Sequence, residues 1–212
     1  MRLRMQSVSR AAVLLTAVTV TVASAAPDSA ALIARLARDA PASVSFAEVR
    51  FSSLLVEPLV VHGTLEYAGA GVLNRRVETP YGENTSIRDE TVRVEREGES
   101  ARTFALRRAP ELRGFVTGML GLLTGDSSLI EEHFRVVASG DDERWRLDLE
   151  PVDARLRERL SNIIVAGGAS EPRCFVIVDT QGGTSVMLLG AAADLTLPAP
   201  IVLAELLARC AE

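Results

Sequence analysis

From Val44 to Arg107 the chain is a succession of short segments rich in branched and aromatic residues, with no helical pattern between them. Few architectures accept such a run. In Leu59 to Tyr67, the apolar Leu59, Val61, Leu65 and Tyr67 alternate with Val60, His62, Thr64 and Glu66, the period of a strand with one buried face. Val44 to Leu55 precedes it, with Glu57-Pro58 as the turn. Val72 to Thr79, Asn84 to Arg88, Thr91 to Arg96 and Thr103 to Arg107 follow, separated by Gly82, Asp89-Glu90 and Gly98. Hairpin spacing needs no crossover, so these segments predict an antiparallel meander.

Strands resume further on, at Phe134 to Ala138, Trp145 to Leu149, around Ile163 to Ala166, and in a hairpin of Cys174 to Asp179 with Ser185 to Leu189. Helical patterns flank and interrupt them. After Asp28, residues Leu32, Ile33, Leu36 and Ala37 recur at helical spacing until Pro41. Beyond Pro110, an almost wholly apolar stretch carries Leu112, Phe115, Val116, Met119, Leu120, Leu122 and Leu123, interrupted by Gly114, Gly118 and Gly121. Shorter helical patterns occur at Asp126 to Glu132, Asp153 to Leu160 and Ile201 to Arg209. The outline is mainly β: a large, curved antiparallel sheet with two or three helices laid against it.

The N-terminus is a targeting segment. Arg2, Arg4 and Arg10 precede an uncharged run from Ala11 to Ala23 and the small residues Ala23-Ser24-Ala25, which is the layout of a cleavable signal peptide. Thirteen uncharged residues fall short of the roughly 20 that cross a bilayer as a helix. Residues 1–25 are thus expected to be removed, leaving one domain over 26–212 outside the cytosol. The chain has no lysine, and removal takes three of its 23 arginines and none of its 28 acidic residues, leaving a net charge of −8. Nucleic acid is a poor partner for such a surface. In an exported protein, Cys174 and Cys210 are expected to form a disulfide that ties the last stretch of chain to a strand. The alternative is two free thiols in a reducing compartment.

Little here supports chemistry. Two distant cysteines, His62 and His133 offer no metal-ligand spacing, and without lysine there is no Walker-type phosphate loop. No Gly-x-Ser-x-Gly elbow is present. His62, with Glu66 on the same strand face, reads as a solvated histidine, and His133 as one with a local charge partner. No cofactor is implied, and no enzyme. The arginines Arg93, Arg96, Arg102, Arg107, Arg108 and Arg113 are interleaved with acids and read as a solvated face, with a rim for lipid headgroups or an acidic partner as the other reading. The glycines of the 112–123 stretch leave two readings open: close packing of a core helix, or a mobile apolar lid.

Taken in order, the signal segment, the amphipathic helix, Phe46-Ala47-Glu48-Val49-Arg50-Phe51, and Pro58-Leu59 leading to Gly63-Thr64-Leu65-Glu66-Tyr67 resemble the LolA family of periplasmic outer-membrane lipoprotein carriers. The likeness continues through Leu73 to Pro80 and Glu83 to Asp89, and is closest to the LolA-related branch in Pro110-Glu111-Leu112, Gly125-Asp126, Phe134-Arg135-Val136, Trp145 to Leu149 and Ser185-Val186-Met187.

The resemblance implies an unclosed antiparallel barrel whose helices form a lid over an apolar cavity for acyl chains. Cavity and lid would then be lined by Phe46, Leu59, Val61, Leu65, Tyr67, Leu73, Val77, Leu112, Phe115, Val116, Met119, Leu120 and Leu123. The implied partners are a lipid or acylated protein cargo, an inner-membrane donor and an outer-membrane acceptor, with the carrier a monomer. The alternative cargo is a hydrophobic biosynthetic product, such as a polyene or a fatty-acyl compound. Two departures stand out. The loop after the second strand, where the best-known members carry an arginine that latches the lid, is Ala68-Gly69-Ala70-Gly71. Leu73, Arg75 and Val77 replace aromatic residues of the family's cavity.

Overall fold

In the computed structural model, residues 27–210 are described; the proposed signal segment lies outside them. Eleven strands form one antiparallel sheet: β1 (Ala42–Phe51), β2 (Leu59–Gly69), β3 (Val72–Thr79), β4 (Glu83–Arg88), β5 (Thr91–Arg96), β6 (Arg102–Ala105), β7 (Phe134–Gly140), β8 (Trp145–Pro151), β9 (Leu160–Gly168), β10 (Glu171–Asp179) and β11 (Thr184–Leu189). Their order across the sheet is β6-β5-β4-β3-β2-β1-β11-β10-β9-β8-β7. The first six strands form one meander and the last five another, joined where β1 pairs with β11. β6 and β7 are the two edges, so the sheet is not closed into a barrel.

Five α-helices complete the described chain: α1 (Ser29–Arg35), α2 (Pro110–Thr124), α3 (Ser127–Glu131), α4 (Ala154–Arg157) and α5 (Leu203–Cys210). Each falls on one of the five helical patterns read from the sequence. Other expectations are corrected locally. The first strand stops at Phe51, because its register with β2 ends at Arg50 opposite Leu59. Leu54 and Val56 fall in the connecting loop, 91% and 103% exposed. Leu106 and Arg107 belong to a tight helical turn instead of a strand: the Leu106 amide donates to the Glu90 carbonyl (2.8 Å) and its side chain is buried. Leu160 opens β9 and does not end the helix before it.

The burial pattern explains the sequence pattern. Phe46 and Glu48 of β1 face one side of the sheet, Ala47 and Val49 the other, and all four are buried. Strands buried on both faces read as continuous apolar runs, as in Val186-Met187-Leu188-Leu189 of β11. The outer side of β1, β10 and β11 is covered by α5, whose Leu206 is fully buried. Cys210 of α5 is bonded to Cys174 of β10, with a Cα–Cα distance of 5.5 Å. Among the described residues, none covers the outer side of β2 to β5 in this way, and His62, Arg76, Asn84 and Arg93 there are exposed.

The inner side holds the main core and carries α1 to α4. Proline at its first position and Glu111 in its first turn favour the start of α2. It ends at Gly125, whose φ of 70° is left-handed. Its glycines serve close packing. A Cβ on Gly114 would stand 2.9 Å from Leu160 Cδ2, and one on Gly118 3.3 Å from Phe175 Cζ. One on Gly121 would stand 2.3 Å from Cγ1 of the fully buried Ile130 in α3. Phe115 meets Phe175 edge-on, with centroids 4.9 Å apart.

Gly121→Val is therefore expected to lower stability by about 2 kcal/mol through overpacking, although valine is the better helix former. Urea unfolding checks the sign; a neutral or stabilising result would mean that the α2–α3 contact is looser than described.

Candidate functional site

The glycine face of α2 rests against β7 to β10, so its opposite face looks across the concavity towards β1 to β4. Between them lies a cavity of about 380 Å³. Neighbouring strands stand about 4.8 Å apart, so β4 and β10, five places apart in the sheet, would be separated by roughly 24 Å if it were flat. Ile87 of β4 and Pro172 of β10 nevertheless border this one cavity. The sheet curls around it.

Its apolar walls are Leu36 after α1; Val44, Leu65, Tyr67, Leu73 and Ile87 of the strands; Leu112, Phe115, Met119, Leu122 and Leu123 of α2; and Leu189 of β11. Arg38, Ser43, Glu66, Asn74, Arg75, Thr85, Glu171 and Arg173 are also on its boundary. The end of α1 is held to the end of α2, where the Arg38 amide donates to the Leu123 carbonyl (2.9 Å).

Among the residues expected from sequence, Leu65, Tyr67, Leu73, Leu112, Phe115, Met119 and Leu123 border the cavity. Phe46, Val61, Val77 and Val116 do not; they are fully buried core residues. Leu59 and Leu120 are half-buried against the same core, away from the cavity. Arg75, which stands where the family's cavity has an aromatic residue, is on the boundary, and Thr85 was missed. The signal that could have found Thr85 is register: Arg75 lies opposite Leu65 on β2 and Thr85 on β4, so all three share the inner face.

Arg75 is also the third member of a chain of seven charges that starts at Arg50. Its Nη2 donates to Glu48 Oε2 (2.6 Å), and its Nη1 stands 3.7 Å from Glu83 Oε1. Glu48 is bound in turn by Arg50, while Glu83 pairs with Arg96, Arg96 with Glu99, and Glu99 with Arg102. Four arginines thus alternate with three glutamates, an excess of one positive charge. The Arg75 guanidinium also lies 4.9 Å from the centre of the Phe46 ring, within cation–π range.

Glu48 is 5% exposed, and a buried carboxylate is costly unless fully bonded. Here Arg50 Nε (2.7 Å) and the Ser185 hydroxyl (2.5 Å) donate to Oε1, and Arg75 and Arg50 to Oε2. Burial alone would raise its pKa. The Arg50 hydrogen bond, the Arg50 and Arg75 charges and the Ser185 hydroxyl outweigh that and hold it at about 2.

His62 is exposed, and Glu66 takes its hydrogen bond from Asn74 Nδ2 (3.1 Å). His133 Nε2 is 3.5 Å from Arg113 Nη2. Among the described residues, no group of three or more His, Cys, Asp or Glu side chains is placed to hold a metal ion, and no helix is long and apolar enough to cross a membrane.

A family model described as outer membrane lipoprotein carrier protein LolA-like matches residues 21–209. This chain belongs to the LolA-like family. Members of that family are carriers that bind lipid or lipoprotein and typically work outside the cytoplasm. No curated protein matches the chain.

Solved structures similar to this LolA-like chain include a LolA superfamily protein from Nitrosomonas europaea, at 12% identity and a TM-score of 0.44, covering 82% of this chain and 96% of that one. LprF from Mycobacterium bovis is 14% identical, with a TM-score of 0.34, and covers 84% of this chain and all of its own. The MucA/MucB complex of Pseudomonas aeruginosa is 10% identical, with a TM-score of 0.38, and covers 84% of this chain and 59% of that one.

Proposed function

We infer that this LolA-like protein is a periplasmic carrier that shelters the acyl part of a lipoprotein or similar amphiphile in the cavity beside α2, for transfer towards the outer membrane. The observation that carries this reading is the cavity itself, walled by leucine, phenylalanine and methionine of one helix face and by the inner faces of β1 to β4. Each methylene moved from water to such a surface contributes about 0.8 kcal/mol. Residues 1–25 are removed on export, residues 26–212 are the carrier domain, the protein acts as a monomer, and no catalytic step is assigned to it. The donor is at the inner membrane and the acceptor at the outer.

The same apolar cavity suits a second cargo, a hydrophobic biosynthetic product such as a polyene or a fatty-acyl compound, since its walls of leucine, phenylalanine and methionine accept any hydrocarbon chain.

The delipidated protein, titrated with the neutral fluorescent probe N-phenyl-1-naphthylamine, is expected to bind it in competition with dodecanoate. Leu65→Trp, which fills the cavity from the inner face of β2, should weaken probe binding at least tenfold and leave the melting temperature nearly unchanged. Equal binding by both proteins would place the probe elsewhere and remove the support for carriage.

A further inference from the structure

Among the polar residues on the cavity boundary, Arg75 and Thr85 form a cross-strand pair on the inner face of the sheet. Both side chains are largely buried: the Arg75 side chain is 14% exposed and Thr85 8%. A guanidinium carries five N–H donors, yet among the described residues Arg75 makes one hydrogen bond, to Glu48. The Thr85 hydroxyl has no hydrogen-bond partner among the described residues. Among the described residues, the only buried side-chain nitrogen or oxygen without a partner is Asn162 Oδ1, so the spare donors of Arg75 and Thr85 are accessible at the cavity boundary, where a cavity serving hydrocarbon alone is better lined by valine and leucine.

The ion-pair chain fixes the guanidinium in place. Glu48 and Glu83 hold it from β1 and β4, and Arg50 and Arg96 balance those two carboxylates from the far side. The chain as a whole keeps one positive charge in excess, and Arg75 is its member at the cavity wall. The other charged groups on the cavity boundary, Arg38, Arg173, Glu66 and Glu171, cancel one another.

We propose that Arg75 and Thr85 form a headgroup site, and that the ligand is a single-chain amphiphile ending in an anionic group, a carboxylate or a phosphate monoester. This rests on the carrier reading and deepens it: the apolar walls hold the chain, and the pair selects its end. The guanidinium meets the anion with two parallel N–H donors, the geometry that arginine offers to carboxylate and phosphate, and the Thr85 hydroxyl supplies a third donor. A free acid or alkyl phosphate suits this site better than a chain esterified to a protein.

The test is displacement of N-phenyl-1-naphthylamine from the delipidated protein by four ligands of one chain length: dodecanoate, dodecyl phosphate, 1-dodecanol and dodecyltrimethylammonium. At least one of the two anions is expected to displace the probe tenfold or more better than the alcohol, and the cation to be weakest. The stronger anion identifies the headgroup. Arg75→Gln should bring the anions down to the level of the alcohol. Thr85→Val leaves the ion-pair chain whole, and should weaken anion binding several-fold without affecting the alcohol.

If acid, phosphate and alcohol compete equally in the unmodified protein, or if both variants keep its preference for the anion, the headgroup site is wrong and the carrier reading stands. If none of the four ligands displaces the probe, carriage fails and takes this inference with it.

Discussion

Replacing Glu48 by glutamine is expected to lower the stability of the protein by about 3 kcal/mol, the cost of removing one partner from a buried, fully bonded ion pair. The loss comes from both sides of the pairing. Arg75, 14% exposed, keeps only the more distant Glu83 as a counter-charge, and the amide cannot repeat the four hydrogen bonds that the carboxylate accepts. Arg50, 42% exposed, recovers solvent and loses less.

The same site fixes a pH dependence. The Glu48 carboxyl is lowered from its ordinary 4.5 to about 2 in the folded protein, so its contribution is fully present above about 4.5 and is lost as the pH falls towards 2. Integrated over that interval, the contribution is about 3 kcal/mol. Urea unfolding at a series of pH values should show the unmodified protein losing this increment between those limits, and Glu48→Gln losing correspondingly less. Parallel curves for the two proteins would mean that Glu48 is not held ionised as described.

The second large effect concerns the outer side of the sheet. Cys210→Ser is expected to cost about 4 kcal/mol, the chain-entropy value for a loop closed over 36 residues. For a domain of this size the change corresponds to a fall of roughly 10 °C in melting temperature. Eight residues make a short helix, and its one fully buried side chain, Leu206, cannot hold it in place alone. Once freed, α5 uncovers Ala47, Val49, Val176, Val186 and Leu188, which are buried beneath it. Faster amide exchange confined to α5, β10 and β11 is the local signature to seek. An unchanged melting temperature would show that apolar packing, not the bridge, holds this face.

Much of this architecture was legible in the sequence, and the reasons are physical. Each of the eleven strands was legible as a short segment rich in branched and aromatic residues between turn signals, and Leu59 to Tyr67 of β2 also by its alternation, because one face of β2 is in contact with solvent. β3 and β5 fall on the very residues expected, Val72–Thr79 and Thr91–Arg96, since Gly71, Gly82 and Gly98 bracket them. Boundaries failed where an apolar residue has a use outside the ladder. Leu55 extends the pattern of β1 into an exposed loop, and Leu106 continues that of β6 while turning into the core.

The cavity was legible only in part. Leu65, Tyr67 and Leu73 of the strands and Leu112, Phe115, Met119 and Leu123 of α2 border the cavity, whereas Phe46, Val61, Val77 and Val116 carry the same signature and are filled core. Alternation tells which face a residue occupies and not whether that face is covered. The roles of Arg75 and Thr85 required the pairing register, and the partition of α2 into a glycine face and a cavity face required knowing what lies against each glycine.

The central claim is that the space between α2 and β1 to β4 exists to be occupied by an acyl chain. Native mass spectrometry of the full chain, expressed in bacterial cells and purified without detergent, tests it most directly. The predicted result is one single-chain amphiphile bound per polypeptide, and its absence from Leu65→Trp purified in the same way. A spectrum of empty protein from both, with no fatty-acid probe able to change it, would contradict the claim.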